Sequence, residues 1–270
     1  MYDTELTSRL ALGGALATAI ALLARRAGSL AASGAAAAVV VGTACVSAGW
    51  EWGILLVAFF LASSALSRLG RARKEERTGA IVAKGGARDA RQVLANGGLV
   101  AAAAIGSLVV MWPGWMLLGA GALATATSDT WATEIGTLAG GRPRSIVTGR
   151  PVPTGASGGI TLAGTVAALA GAAFVAGLAW LLRWPHAGAV LVGGMIGSTA
   201  DSLLGATLQA RRWCERCEAG TEREVHRCGA PTRADGGLAW LDNDAVNLAS
   251  GLLGALATLL AAHLAPHTHA

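Results

Sequence analysis

The sequence predicts an all-α fold, a polytopic helical bundle embedded in a membrane. Hydrophobic residues make up 53% of the chain and charged residues only 14%, and the mean hydropathy is +0.53. The apolar residues are gathered into stretches close to the length of about 20 residues that a spanning helix needs. A soluble helical protein is the alternative, but its helices would have distinct polar faces, and few of these stretches do.

Eight apolar stretches predict about eight transmembrane helices, of which the first, second and fifth are short. Small residues dominate these stretches, with 38 glycines in the chain, and small residues let transmembrane helices approach closely. The pattern therefore indicates a compact bundle. The stretches lie at residues 10–24, 29–48, 51–67, 96–112, 114–128, 158–182, 187–206 and 245–264.

Lysine and arginine predict the orientation of the bundle. All but two of the 21 Lys and Arg, namely Arg9 and Arg183, fall on one side when the N-terminus is placed outside. The positive-inside rule therefore favours N- and C-termini outside and the polar loops in the cytoplasm. We expect an integral protein of the prokaryotic inner (plasma) membrane with its active face in the cytoplasm. Orientation and anionic lipid headgroups explain the net charge of +5, so no nucleic acid partner is needed.

The chain is expected to have two parts. Residues 1–95 hold the first three helices, which act as membrane anchors, and a basic cytoplasmic segment that forms a helix and a loop. Residues 96–270 form the membrane domain that carries the candidate catalytic residues. This second part includes a cytoplasmic Cys/His knuckle at residues 207–243.

The basic segment contains two kinds of cation. Arg71, Arg73 and Lys74 fit a solvated surface that faces lipid headgroups. Further along, the glycine pairs of "KGGAR" and "ANGG" lie beside candidate phosphate ligands, because a phosphate can meet bare backbone N–H groups there. These candidates are Lys84, Arg88 and Asn96.

Acidic residues near the ends of two apolar stretches mark the candidate site. Asp129 lies in "TSDTWATEIG" and Asp201 in "GSTADSLLGATLQ". Carboxylates are expensive in hydrocarbon and usually mark a functional position. The two stretches resemble a weak internal repeat, although chance also explains so short a match. On a continuous helix, Ser198 and Ser202 share a face with Asp201.

A third polar cluster, "LDNDAVN", opens the last helix with Asp242, Asn243, Asp244 and Asn247. Carboxylate and amide oxygens suit Mg²⁺, which takes one or two carboxylates together with substrate phosphates. Three such clusters at one membrane face therefore predict a metal and phosphate site. For the two aspartates of this cluster, capping of the helix is an equally good explanation.

The loop "RPRSIVTGRPVPTGASGGIT" is a candidate anion site. Arg144 and Arg150 can pair bidentately with phosphate. The loop precedes a helix that we expect to start near Ser157, where backbone N–H groups can hold an anion. It does not match the P-loop pattern. Its prolines and glycines include Pro153, Gly155, Gly158 and Gly159.

Three of the four cysteines lie in "WCERCEAGTEREVHRCG". Cys214 and Cys217 form a C-x-x-C pair, and His226 and Cys228 follow as H-x-C. Four such ligands suffice for a closed, structural Zn²⁺ site. Disulfides are the alternative, but a cytoplasmic location argues against them. Cys45 lies in an apolar stretch and is expected in the core.

Five motifs, in this order and spacing, resemble an integral membrane family of unknown-function domains that includes the plant phytyl-phosphate kinase and the animal transmembrane protein nineteen. They are "SDTWATEIG", "RPVPTGASGGIT", "DSLLGATLQ", "HRCG" and "LDNDAVN". The resemblance extends from about Lys84 to Leu253 and is most specific over 128–160 and 198–208. The first three helices add little to it.

The resemblance implies a Mg²⁺-dependent kinase that converts an isoprenoid monophosphate, such as a phytyl or prenyl phosphate, to the diphosphate. Its partners would be a nucleoside triphosphate, with CTP favoured, the isoprenoid phosphate and membrane lipids, whereas the oligomeric state stays open. Such transfer depends mainly on positioning and charge neutralisation. We assign catalysis to Asp129, Asp201, Glu134, Lys84 and Arg150, with Glu134 as a structural support or a support of the metal ligands. We assign Mg²⁺ to Asp129, Asp201 and Asp242, and nucleotide or phosphate binding to Arg88, Asn96, Arg144, Pro153, Gly155, Gly158, Gly159, Ser202, Asn243 and Asn247.

Two other functions are compatible with the sequence. A cytidylyltransferase would use the same metal and basic residues to form a CDP-lipid, and only the product distinguishes it from a kinase. A cation-coupled transporter would place its acids near the bilayer midplane. Because these acids lie near one membrane face, transport is the weaker alternative.

Overall fold

The computed structural model describes residues 2–265, and its regular structure is mostly helical. Its helices are α1 (Tyr2–Arg26), α2 (Ala32–Ala48), α3 (Trp50–Arg68), α4 (Arg71–Thr78), α5 (Ala90–Val109), α6 (Gly114–Ala139), α7 (Leu162–Leu181), α8 (Ala187–Thr207) and α9 (Asn243–Leu264). Short antiparallel strands lie between them. One sheet pairs β1 (Arg144–Ser145) with β2 (Gly159–Ile160), and the other pairs β3 (Arg211–Cys214) with β4 (Ala219–Thr221) and β5 (Arg233–Gly236).

The predicted class, a polytopic helical membrane protein, is confirmed. Each of the eight predicted apolar stretches corresponds to one helix, and α4 lies in the basic segment. Within the described residues, however, six helices rather than eight are long and apolar enough to cross a membrane: α1 from Thr4 onward, α3, α5, α7, α8 and α9. The short α2 has only 17 residues, and α6 carries a polar C-terminal half.

Three predicted helix boundaries are wrong. The first and fifth helices are not short, because α1 has 25 residues and α6 has 26. The fifth helix continues through Asp129 and Glu134, whose side chains find partners on neighbouring helices. The helix expected near Ser157 begins at Leu162 instead, because Gly159 and Ile160 pair with β1 and Thr161 caps the first turn.

The main core draws on most of the bundle, with α6 at its centre. Among its most buried side chains are Leu55, Val100, Leu123, Val175 and Val190, which come from α3, α5, α6, α7 and α8 respectively. α6 packs against each of these helices, and against α9. The polar face of α6 is therefore enclosed by protein on several sides.

Glycines bring the backbones of α6, α8 and α9 into close contact. A Cβ atom added to Gly197 would lie 2.1 Å from Thr125 Oγ1, and one added to Gly254 would lie 1.9 Å from the same atom. At Gly193 the added atom would lie 1.9 Å from Thr258 Oγ1. No larger residue fits these positions without movement of the helices. This packing sets α6 and α8 side by side where each carries its aspartate.

One end of the bundle, which we call the basic end, carries most of the charged residues. There α3, α6 and α8 end, α5, α7 and α9 begin, and the segments 68–93, 139–161 and 207–243 connect them. Asp89, Thr161 and Asp242 each accept a hydrogen bond of 3.0 Å from the first turn of α5, α7 and α9. These caps satisfy N–H groups that helix starts leave free.

Candidate functional site

Two carboxyl groups meet between helices at the basic end. Asp129 of α6 and Asp201 of α8 lie within range of a side-chain hydrogen bond to each other. Ser250 of α9 donates a hydrogen bond of 2.8 Å to Asp201 Oδ2. Two carboxylates this close repel each other when both are charged, so the pair requires a shared proton or a bound cation. Three helices thus hold an acidic pair that can bind a cation.

Glu134, one of the predicted catalytic residues, has its contacts on α3 and α4. Ser67 Oγ donates to Glu134 Oε1 at 2.5 Å, and Lys74 Nζ donates to Oε2. Lys74 also donates to the backbone oxygens of Leu66 and Ser67 at 2.8 and 3.1 Å. The expectation of a solvated Lys74 is wrong, because this residue is only 7% exposed. It forms a partly buried ion pair that joins α4 to α6.

Lys84 lies between two carboxylates. Its Nζ atom is 2.5 Å from Asp244 Oδ2 and 2.9 Å from Asp89 Oδ2. Partial burial by itself lowers the pKa of Lys84, but the hydrogen bonds and charges of Asp244 and Asp89 outweigh it and raise the pKa. Lys84 is therefore a stable cation that links the 79–89 segment to the start of α9.

Asp242 is both a helix cap and an ion-pair partner. Its Oδ1 accepts the Ala245 N–H at 3.0 Å, and its Oδ2 lies 2.7 Å from Arg91. Helix capping, which the sequence made as good an explanation of Asp242 as metal binding, thus accounts for one of its oxygens. The structure does not place Asp242 in contact with the Asp129–Asp201 pair.

Arg88 lies where the basic segment meets α3. Its guanidinium donates hydrogen bonds of 3.2 Å to Ser64 and to Ser67. Burial lowers the pKa of Arg88, and the charge of Glu134 opposes this effect. Asn96, two turns into α5, donates to the Gln92 backbone oxygen at 2.9 Å. Both Arg88 and Asn96 line a cavity between α1, α2, α3 and α5.

The two predicted phosphate-binding arginines of the loop lie on its surface. Arg144 and Arg150 are exposed, and Arg144 donates to the Gly149 backbone oxygen at 2.8 Å. Gly158 has a φ of +74°, and an added Cβ would lie 2.4 Å from Ala206 Cβ and 2.7 Å from the Ser202 backbone oxygen. This glycine therefore allows the loop to pack directly on the end of α8.

The Cys/His segment brings its four predicted ligands together. The side-chain ligand atoms of Cys214, Cys217, His226 and Cys228 all lie within 4.8 Å of one another. The Sγ atoms of Cys214 and Cys228 are 3.7 Å apart, and His226 Nδ1 is 3.3 Å from Cys228 Sγ. All four cysteines of the chain are free, so no disulfide competes for these sulfurs. The hydrogen bond with His226 lowers the pKa of Cys228 to about 6, which favours the thiolate that metals bind. The cluster can hold a metal ion.

Comparison with known proteins identifies the family. Residues 15–255 match the family described as Integral membrane protein DUF92. The chain belongs to this family. No solved structure gives a significant match.

Several relatives of this DUF92 protein cover most of its length. Protein PGR of Arabidopsis thaliana is 31% identical over 96% of this chain and 98% of its own. An uncharacterized membrane protein of Methanocaldococcus jannaschii is 36% identical over 60% of this chain and 67% of its own. Protein VTE6, chloroplastic, of Arabidopsis thaliana is 28% identical over 86% of this chain and 65% of its own.

The remaining predicted ligands of the DUF92 chain lie on α8, on α9 and in the loop before α7. Ser202 follows Asp201 directly and is half-buried. The Asn247 backbone oxygen accepts a hydrogen bond of 3.1 Å from Ser250, the same hydroxyl that binds Asp201. Asn243 is exposed at the first position of α9. In the loop, Gly155 packs against Thr78 of α4, the Pro153 backbone oxygen accepts a hydrogen bond of 3.1 Å from the Ala156 N–H, and Gly159 is the first residue of β2.

Two acidic residues at the basic end were not assigned from the sequence. Asp244 is only 5% exposed, and its Oδ1 has no hydrogen-bond partner among the described residues. The sequence did contain a signal for its burial: Asp244 lies seven residues before Gly251 and fourteen before Thr258, and residues at this spacing share the buried face of α9. This spacing separates it from Asp242, which caps the helix.

Glu222 is the second unassigned acid. Its Oε1 accepts hydrogen bonds from Ser157 at 2.5 Å and from Gln209 at 2.7 Å. Burial raises the pKa of Glu222, and these hydrogen bonds oppose part of the rise. The residue therefore ties the glycine loop to the end of α8. No motif marks it, because it lies in a segment rich in both signs of charge.

Proposed function

We propose that this protein is a membrane-embedded, Mg²⁺-dependent kinase that converts an isoprenoid monophosphate, phytyl or prenyl, to the diphosphate. The donor is a nucleoside triphosphate, with CTP favoured. One observation carries the proposal: Asp129 and Asp201, from two different helices, place their carboxyl groups together at the basic end. The family resemblance supplies the reaction class, and the acidic pair supplies a position for the metal on which it depends.

The donor set of the acidic pair fits Mg²⁺. Two carboxylates in contact repel each other as anions, and a bound cation removes this repulsion. Mg²⁺ is bound by one or two carboxylates and leaves its other positions to water and substrate phosphates. Ser250 fixes one oxygen of Asp201 and so orients that carboxylate. When bound, Mg²⁺ would neutralise polyphosphate charge and hold the phosphate oxygens in place.

Asp242 is a weaker candidate for the same ion. Arg91 and the first turn of α9 occupy its oxygens. Asp244 offers a free buried oxygen on the same helix. We therefore assign Asp129 and Asp201 as the Mg²⁺ ligands and keep Asp242 as a residue that shapes the start of α9.

Cations at the basic end would take the negative charge of the phosphates. Arg88 lies just before α5 and donates to Ser64 and Ser67, and Lys84 lies between the carboxylates of Asp89 and Asp244. Arg144 and Arg150 are exposed on the loop and would approach the nucleotide from outside the bundle. The acceptor is a phosphate that is already ionised at neutral pH, so the reaction needs positioning more than a strong base.

The remaining assignments follow from this arrangement. Asn96, Asn243 and Asn247 would orient the metal or the nucleotide base. Because the basic end carries most of the lysines and arginines, the positive-inside rule would place it in the cytoplasm of a prokaryotic cell, with the bundle in the plasma membrane.

The Cys/His cluster would hold a structural Zn²⁺. Sulfur ligands at about 2.3 Å from a tetrahedral zinc are about 3.8 Å from one another. The Sγ atoms of Cys214 and Cys228 are 3.7 Å apart, which fits that geometry. Four protein ligands leave no open position, so this ion would stabilise the segment rather than take part in phosphoryl transfer.

One assay tests the function. Purified protein is incubated with Mg²⁺, with CTP or ATP, and with a panel of prenyl monophosphates, and the products are identified by mass. We expect prenyl diphosphate from the wild type and loss of product in Asp129→Asn and in Asp201→Asn. Asp235→Asn, an exposed carboxylate of β5, is the matched control and retains activity.

The products also separate the other functions. If the product is a CDP-lipid, the protein is a cytidylyltransferase that uses the same residues. Cation uptake by proteoliposomes, with no nucleotide turnover, would favour a transporter. Wild-type rates in both aspartate variants would exclude the acidic pair as the metal site.

A further inference from the structure

An apolar cavity opens between α1, α2, α3 and α5, next to the candidate site. Its walls include Ile20 of α1, Val41 of α2, and Phe59 and Phe60 of α3. Its polar side chains are confined to the basic end, where Arg88, Gln92, Asn96 and Thr130 line it. The cavity is thus apolar along its length and polar at one end.

The polar end carries a positive charge that the protein does not pair directly. Arg88 donates to two serine hydroxyls, and among the described residues it forms no ion pair with a carboxylate. The charge of Glu134 acts on it without direct contact. A guanidinium beside apolar walls is suited to a phosphate, because the phosphate would complete its charge-assisted hydrogen bonds.

Helix geometry gives the depth of the cavity. Gly42 lies ten residues from the start of α2, and Leu56 lies twelve residues from the end of α3. At 1.5 Å per residue the walls therefore extend about 15–18 Å from the basic end. An extended hydrocarbon chain fits this length, with its head at Arg88.

The cavity also borders the turn of α6 that carries Asp129. Thr130 lines its polar end and directly follows Asp129 in α6. Thr130 and Glu134 are one turn apart, and both lie on the side of α6 that faces α3 and α5. A phosphate at Arg88 would therefore lie beside the helix turn that carries the proposed metal ligand.

We propose that this cavity binds the hydrocarbon chain of the isoprenoid monophosphate, with the phosphate at Arg88, and that its depth limits the chain length. The inference rests on the proposed function for the identity of the lipid. A single chain with a phosphate at one end matches a cavity with one polar end. A membrane phospholipid carries two acyl chains on one headgroup and matches it poorly.

A pair of alanines on α2 provides the test. Ala38 lines the cavity, whereas Ala36 is exposed on the same helix. Ala38→Phe fills the cavity, and Ala36→Phe adds the same ring outside it. Binding of geranyl and geranylgeranyl monophosphate is measured without nucleotide by native mass spectrometry of the detergent-solubilised full chain.

We expect Ala38→Phe to weaken binding of geranylgeranyl monophosphate about tenfold or more, because several CH₂ groups lose their apolar contacts. Binding of the shorter geranyl monophosphate changes by less than about threefold, and Ala36→Phe alters neither. Arg88→Gln weakens the binding of both ligands, since both carry the phosphate that Arg88 would hold. Equal effects of the two phenylalanine variants, or an equal loss for both ligands in Ala38→Phe, would overturn the inference.

A second measurement uses the wild type alone. A geranylgeranyl monophosphate with a photoreactive group at the far end of its chain should label peptides of α2 and α3. Labels elsewhere, or a tightly held phospholipid that prenyl phosphates do not displace, would also overturn it. Turnover is measured in parallel. If the protein forms diphosphate but the variants do not show the expected binding, the cavity is not the lipid site and the kinase assignment stands. If the variants show the expected binding but no diphosphate forms, the kinase assignment fails and the lipid site stands.

Discussion

The ion pair between Lys74 and Glu134 allows a sharp test of what Glu134 does. The side chain of Lys74 is 9% exposed and that of Glu134 is 21% exposed, so neither charge is well solvated. Glu134→Gln keeps the shape of the side chain and removes its charge. The variant then leaves an uncompensated cation between α4 and α6.

The expected cost follows from the burial of the pair. Loss of one partner from a buried ion pair typically costs about 3–5 kcal/mol. The glutamine oxygen can still accept hydrogen bonds from Ser67 and Lys74, and Glu134 retains some contact with solvent. We therefore expect a loss of about 2 kcal/mol in the free energy of unfolding, just below that range. Lys74→Met/Glu134→Gln removes both charges and should recover at least half of this loss.

Unfolding in mixed detergent micelles measures the stability, and prenyl diphosphate formation measures the activity. Glu76→Gln is the matched control, because Glu76 is exposed on α4, and its stability should stay within about 0.5 kcal/mol of wild type. If Glu134 acts only through structure, the double variant recovers activity together with stability. Recovered stability without activity would show that the carboxylate itself is needed. A Glu134→Gln variant as stable as wild type would refute the reasoning.

Three further predictions concern other parts of the molecule. Gly193→Ala should lower the free energy of unfolding by about 2 kcal/mol or more and Tm by several degrees, because its Cβ would lie 1.9 Å from Thr258 Oγ1. Gly188→Ala is the control and should not lower Tm, because no atom lies within 4 Å of the added Cβ. Elemental analysis should find about one zinc per chain in the wild type and in Cys45→Ser, and little in Cys217→Ser; equal zinc in both variants would exclude the cluster. Burial raises the pKa of the Glu222 carboxyl above its ordinary value of 4.5, so the folded state binds the carboxyl proton more tightly than the unfolded state does. The protonated carboxyl therefore stabilises the fold at low pH, and this stabilisation is lost as pH rises through the raised pKa. The stability difference between Glu222→Gln and wild type should therefore grow in favour of the variant as pH rises from about 4 to about 8, and a difference that does not change with pH would contradict this.

The sequence predicted the features that depend on composition and local spacing. Apolar stretches located eight of the nine helices in the described residues, because burial in a bilayer requires helices to be nearly free of charge. The spacing of Cys214, Cys217, His226 and Cys228 predicted a cluster that the structure brings within ligand distance. The cost of a carboxylate in hydrocarbon singled out Asp129 and Asp201, which the structure places in contact.

The sequence did not predict features that depend on partners distant in the chain. Lys74 looked solvated because its neighbours are charged, yet it pairs with Glu134, sixty positions later. The end of α6 was placed too early for the same reason, since its polar residues are satisfied by α3, α4 and α8. Glu222 has no local signal, and its role depends on Ser157 and Gln209.

The Cys/His segment is joined to the cations of the candidate site through the residues that connect them. Thr221 of β4 donates to the Ala80 backbone oxygen at 2.9 Å, and the Glu222 N–H donates to Ile81 at 2.9 Å. Arg223 donates to the backbone oxygens of Gly79 and Val82 at 2.9 and 3.0 Å. These bonds hold the backbone that leads directly to Lys84, which in turn pairs with Asp244 on α9. A metal that stabilises the Cys/His fold would therefore contribute to the site by fixing where Lys84 lies, although its ligands are not part of the acidic pair.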